Sequence, residues 1–119
     1  MREQRVDSVS ETLALFKKID AKAGSYPTLV EFDDEHGAAI AIWAGHDLTV
    51  ITAQHSLDPP YFTTRAQRPV TTEDVWFMYA GENTPYPSHS VVPKAAGVAA
   101  LEHFLRTEEL DSRLEWATL

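Results

Sequence analysis

Five histidines, eighteen acids and no cysteine set the chemistry open to this chain. His36, His46 and His55 follow one another at ten and nine residues, each in or beside a turn-forming stretch. Three imidazoles can hold zinc, but neither an HExxH nor a pair four apart on a helix is present. The three read as solvated turn residues. His103, between Glu102 and Phe104, reads as a satisfied or exposed histidine of a helix. Asp33-Asp34 and Glu108-Glu109, with Asp111 just beyond, are paired carboxylates that could share a proton or take a divalent cation. Neither cluster carries an EF-hand pattern, so both read as solvated acidic loops.

Nucleophilic chemistry has no better foothold. No serine lies in a G-x-S-x-G elbow. His55-Ser56-x-Asp58 are sequence neighbours, whereas triad members meet through the fold. Without cysteine there is no thiolate nucleophile, zinc–thiolate site or disulfide. The five glycines are scattered and build neither a phosphate loop nor a dinucleotide fingerprint. The residues predict no catalytic group, no metal and no cofactor: a binder rather than an enzyme. The competing reading is a small enzyme or ligand-binding α+β domain with a pocket between sheet and helices, using His55, Asp58 and Tyr79. Tyr61, Phe62, Tyr79 and Tyr86 flank two proline-bearing segments, and tyrosine at a polar rim is a common interface anchor.

These residues need elements to position them. Ser8 and Glu11 form a capping box ahead of Val9, Leu13, Phe16 and Ile19, with Val6 extending the stripe and Gly24 ending the helix. Thr28 to Phe32 alternates, Ala38 to Trp43 is apolar throughout, and Leu48 to Ala53 continues, with turns at 33–37 and 45–47. Those runs predict an antiparallel meander. Tyr61 to Thr64 reads as a short strand, Val75 to Tyr79 as a strong one, Gly81 to Pro85 as a turn, and His89 to Val92 as a brief edge pairing. Pro93 opens a second helix lined by Val98, Leu101, Phe104 and Leu105, where Gly97 allows close approach to the sheet. Leu114 to Trp116 forms a last strand with Trp116 buried. The expected fold is α+β: a mostly antiparallel sheet of about five to seven short strands, packed with an N-terminal and a C-terminal helix.

The 119 residues fit one domain, 1–119, and 44% apolar with 24% charged residues is ordinary for a globular chain. The formal charge of −8 argues against nucleic acid as a ligand and suits a basic protein partner. With no apolar leader and no long apolar stretch, the chain is expected in the cytoplasm with no membrane partner, as a monomer or weak homodimer.

The order Asp58-Pro59-Pro60-Tyr61-Phe62, Val75 to Tyr79 with Gly81, Tyr86-Pro87, Val91-Val92-Pro93 and Phe104-Leu105-Arg106-Thr107 closing on Leu114-Glu115-Trp116 resembles one family. It is similar to the first-numbered family of immunity proteins from bacterial polymorphic toxin systems, over about residues 26 to 119. The resemblance implies an intracellular protector encoded beside a secreted toxin, often a nucleic-acid deaminase, and implies no catalytic residues. Toxin contacts are then expected on the loops 33–36, 56–62 and 82–88, at Asp33, Asp34, Glu35, Asp58, Tyr61, Glu82 and Tyr86. The acids would pair with toxin lysine or arginine, and the tyrosines would serve as anchors.

Overall fold

The computed structural model describes residues 8–23, 28–34, 36–66, 68–69, 74–79 and 82–119, without the side chains of 77–79 and 82–84. Helix α1 spans Val9–Ala23. Its start is fixed as the capping pattern requires, with Ser8 Oγ accepting from the Glu11 N–H at 3.1 Å. Gly24 and Val6 lie outside the described residues.

A five-stranded antiparallel sheet follows, built from β1 (Thr28–Asp33), β2 (Ala39–Ala44), β4 (Ile51–Gln54), β5 (Tyr61–Arg65) and β9 (Glu115–Thr118) in that spatial order. All six residues of β2 are buried, as its unbroken apolar run demands of a central strand. Between β2 and β4 the ladder breaks at Val50, and β3 (Leu48–Thr49) leaves the sheet to pair with β8 (Val92–Pro93). The buried Thr49 hydroxyl bridges the break, accepting from the Trp43 N–H and donating to the Trp43 carbonyl, both at 3.0 Å.

Helix α2 (Lys94–Thr107) lies beside α1 on one face of the sheet. Phe16, Val30, Ile40, Ile42, Ile51, Leu101 and Phe104 form the main core between the layers. The glycine predicted to permit close approach does so: Gly97 is buried against Thr49, Ile51 and Ile42. Asp20 of α1 locks both helices to the sheet, accepting from the Gly45 N–H at 2.6 Å and from Lys94 Nζ at 2.8 Å. Burial pushes its carboxyl up, but those two bonds outweigh it and hold Asp20 below the usual carboxylate range.

Three expectations change. Residues 82–86 form strand β7 (Glu82–Tyr86) rather than a turn; they pair with β6 (Val75–Tyr79) as a separate hairpin whose tip, 80–81, lies outside the described residues. Alternation makes the strand feasible despite Pro85, since a two-stranded ribbon leaves an unpaired edge for a residue with no N–H. Residues 88–90 form a 3-10 turn, so the edge pairing shifts to Val92–Pro93. Trp116 is half-buried, its indole N–H bonded to the Asp111 carbonyl at 3.0 Å.

Asp111 makes the turn from α2 into β9. Its buried carboxylate accepts from Arg113 Nη2 at 2.7 Å and from the Arg113 backbone N–H at 3.0 Å. The Arg113 guanidinium lowers its pKa, against the opposing effect of burial. Just before it, Glu108 caps α2 in the left-handed region at φ 57°. That conformation strains a residue with a Cβ, so Glu108→Gly is expected to raise stability by about 0.5–1 kcal/mol. An increased Tm in thermal unfolding checks it; an unchanged or lower Tm would mean that the Glu108 side chain contributes more than the strain costs.

Candidate functional site

Because the strands pair in register, the sheet's second face can be read row by row. Asp33, Ala39, Gln54 and Tyr61 stand side by side across β1, β2, β4 and β5. The next row is Glu31, Ala41, Thr52, Thr63 and Ala117. Beyond it Leu29 lies opposite Trp43. That third row is covered: Trp43, Val50 and Val91 form a second core, packed by Val75 and Tyr86 of the β6–β7 hairpin. In the first two rows Ala39, Ala41 and Thr52 are short side chains set among the longer Glu31, Gln54 and Tyr61. They leave a trough of about 250 Å³, floored by Ala39, Ala41 and Thr52 and walled by Glu31, Gln54, Tyr61 and Leu119.

The upper end of this trough meets the loops on which contacts were expected. Asp33 and Asp34 end β1, and Asp58 and Tyr61 lie in and after the loop from β4 to β5 at the same end of the sheet. Asp34 builds its own turn, its Oδ1 accepting from the N–H groups of His36 at 2.8 Å and Ala38 at 3.0 Å. Burial opposes ionisation at Asp34, but those bonds and a side-chain hydrogen bond with Glu108 hold its pKa below the usual range. Asp34 therefore holds its own turn while remaining exposed. Asp33 and Glu31 are exposed, and their carboxylates make no hydrogen bond or ion pair to another described residue. The Tyr61 hydroxyl donates to the Leu57 carbonyl at 2.5 Å, and the Tyr61 carbonyl accepts from the Leu119 N–H at 2.7 Å. Leu57 and Leu119 are 75% and 69% exposed. An apolar group thus surrounds Tyr61 beside an acidic strand end.

The remaining expected contacts fall elsewhere. Glu35 lies outside the described residues. Glu82 is paired opposite Tyr79 in the hairpin. The Tyr86 ring meets Trp43 edge-on at 6.1 Å, so it serves the second core. Trp43 is four residues from Ala39 along β2, about 13 Å from the Asp33–Tyr61 row.

A second cavity, of about 170 Å³, lies between sheet and helices, lined by Thr12, Phe32, Asp34, Ile40, Phe104 and Glu108 among others. It is smaller than the roughly 300–1,000 Å³ of small-molecule sites. Neither cavity has His55 or Asp58 among its described lining residues. The His55 ring is stacked 5.9 Å from Phe104 and meets Phe62 edge-on. Asp58 sits in a loop closed by Ser56, whose hydroxyl accepts from the Asp58 N–H and donates to the Asp58 carbonyl, both at 3.2 Å. Among the described residues no three His, Asp or Glu side chains stand close enough to hold a metal ion.

Sequence reasoning missed Leu57, Trp76, Leu119 and the trough itself. Trp76 sits in the most apolar run of the chain yet is 58% exposed. Ala39 and Ala41 read as core residues of a central strand; only the register shows that Ala39 shares a row with Asp33 and Gln54, and Ala41 with Glu31 and Thr52.

Over residues 2–118 the chain matches the family model described as Immunity protein Imm1. No curated protein matches it.

Proposed function

We propose that this chain, which belongs to the Imm1 family of immunity proteins, protects its cell by binding and neutralising a cognate toxin domain. The family match across residues 2–118 carries the reading. It supports a protein partner and a role that needs no chemistry from this chain. The toxin is a nucleic-acid-modifying enzyme, of the deaminase type. A surface that handles nucleic acid is basic, and the formal charge of −8 here complements it. Residues 1–119 act as one domain in the cytoplasm, where an incoming toxin reaches its substrate, and are monomeric or weakly dimeric before the toxin binds.

Contact is centred on the sheet end bearing Asp33, Asp58 and Tyr61, with Glu35 completing the acidic loop. Glu82 and Tyr86 extend the surface along the hairpin. Two unpaired acids beside exposed leucines match the anatomy of an interface, in which an apolar centre excludes water and a charged rim guides encounter.

The reading frame beside this gene supplies the test. Its C-terminal domain is expected to co-purify with this chain and to lose its toxicity when the two are co-expressed. The on-rate of the complex should fall at least about tenfold between low and high salt, with the off-rate changing less. A toxin domain that ignores this chain would overturn the reading. A salt-indifferent on-rate would overturn only the electrostatic steering.

A further inference from the structure

Resting on the toxin-binding reading, we infer that the alanine-floored trough seats one long cationic side chain of the toxin, an arginine or a lysine. The floor is made of Ala39 and Ala41, only 6% and 8% exposed because taller side chains flank them. One wall is the exposed carboxylate of Glu31, with Asp33 beside it on the same face of β1. The other side is Tyr61 and Leu119. The space thus has a floor of alanine methyls, uncharged polar groups from Thr52 and Gln54, and an anion at one edge.

Arginine and lysine have that same division, an aliphatic stem and a charged head. Laid on the alanine methyls, the stem fills the trough while the head reaches Glu31. Other occupants fit worse. An acidic side chain meets like charge, and an apolar one covers Glu31 while leaving its carboxylate unpaired, which is costly on desolvation. A volume of about 250 Å³ lies below the range of small-molecule pockets and suits a single side chain delivered by a protein surface. Arg65, the cation on the same face of β5, stands opposite Glu115, two residues beyond the row of Ala41 and Thr63. It does not already occupy the role.

The test titrates the neighbouring toxin's C-terminal domain, catalytically inactivated, into the full chain and its variants by calorimetry. Glu31→Lys places a cation where the seat needs an anion. Ala41→Leu fills the trough from its floor. Glu102→Lys makes the same charge change on α2, on the far side of the sheet. The first two are expected to weaken binding about tenfold or more each, and the third less than about twofold. Glu31→Gln removes the charge at constant size and should give an intermediate loss; with no bulk added, it stays informative if Ala41→Leu fails to fold. If the wild-type chain binds while Glu31→Lys and Glu31→Gln bind as tightly, the seat is elsewhere and the immunity reading stands. If the wild-type chain binds no toxin domain, both fall together.

Discussion

Trp43→Ala is expected to remove about 3–5 kcal/mol of folding stability, the cost of truncating a fully buried indole and leaving a cavity behind. Trp43 is 1% exposed and is the largest fully buried side chain in the described structure. It packs with Val50 and Val91 and against Leu29, Leu48, Val75 and Tyr86. Those neighbours come from the main sheet, the β3–β8 pair and the hairpin, so one side chain joins three pieces of backbone. Tyr86 contributes an edge-on ring contact whose value is lost with the indole. Since a domain holds only about 5–15 kcal/mol in total, the variant stands near the edge of folding. Urea unfolding followed by circular dichroism measures the shift. Trp76→Ala, which removes an indole that is 58% exposed, should shift stability by less than about 1 kcal/mol. A small loss at Trp43 would mean that the hairpin does not depend on it.

How far could these roles have been read from the letters alone? Helix positions were legible because they rest on local rules. Ser8 at the first turn, the three- and four-residue stripe of Leu13 and Phe16, and Pro93 ahead of α2 each act within a few residues of themselves. The meander was legible for the same reason, since turns at Asp34 and Gly45 fix which runs are neighbours. Gly45 and Gly37 both adopt φ 92°, a conformation that favours glycine and ends a strand sharply.

What failed depends on distant partners. The run Val75 to Tyr79 signals a strand but not its sheet, and among the described residues it pairs with β7 alone. Nothing near Trp76 in sequence says which side of that ribbon meets Trp43; Val75 does, so Trp76 faces outward. The trough was invisible for a related reason. Alanine in a buried strand signals close packing, yet Ala39 and Ala41 instead leave room beneath taller neighbours from β1, β4 and β5. The sequence named contacts on three loops without relating them; it is the antiparallel pairing of β1, β2, β4 and β5 that brings Asp33, Asp34, Asp58 and Tyr61 to one end. Which of those acids is free was not legible either. Asp34 and Asp33 are adjacent letters, and only the turn hydrogen bonds tell them apart.

Gly97 supplies the second large effect, because its helix and its sheet make opposite demands. In an isolated helix Gly97→Ala would gain about 1 kcal/mol. Here the added Cβ would collide with Thr49 Cγ2. That methyl has no easy escape: Thr49 is fully buried, and rotating it would break both bonds its hydroxyl makes with Trp43. Overpacking a rigid core costs about 1–3 kcal/mol, occasionally more, so Gly97→Ala is expected to destabilise by about 1–2 kcal/mol in spite of the better helix former. Thr49→Ser removes the methyl and keeps the hydroxyl. Alone it should cost about 1 kcal/mol for the lost methyl, but combined with Gly97→Ala it vacates the space the new Cβ needs. The double variant is therefore expected to be more stable than Gly97→Ala alone, with a coupling of about 2 kcal/mol, more than the methyl costs, in a double-mutant cycle of urea midpoints. Strictly additive effects would show that α2 moves away from the sheet instead. That movement would also shift Lys94, whose N–H bonds the Asp47 carbonyl and whose ammonium pairs with Asp20. The distance at which α2 meets β3 is thus set by one absent side chain and one threonine methyl.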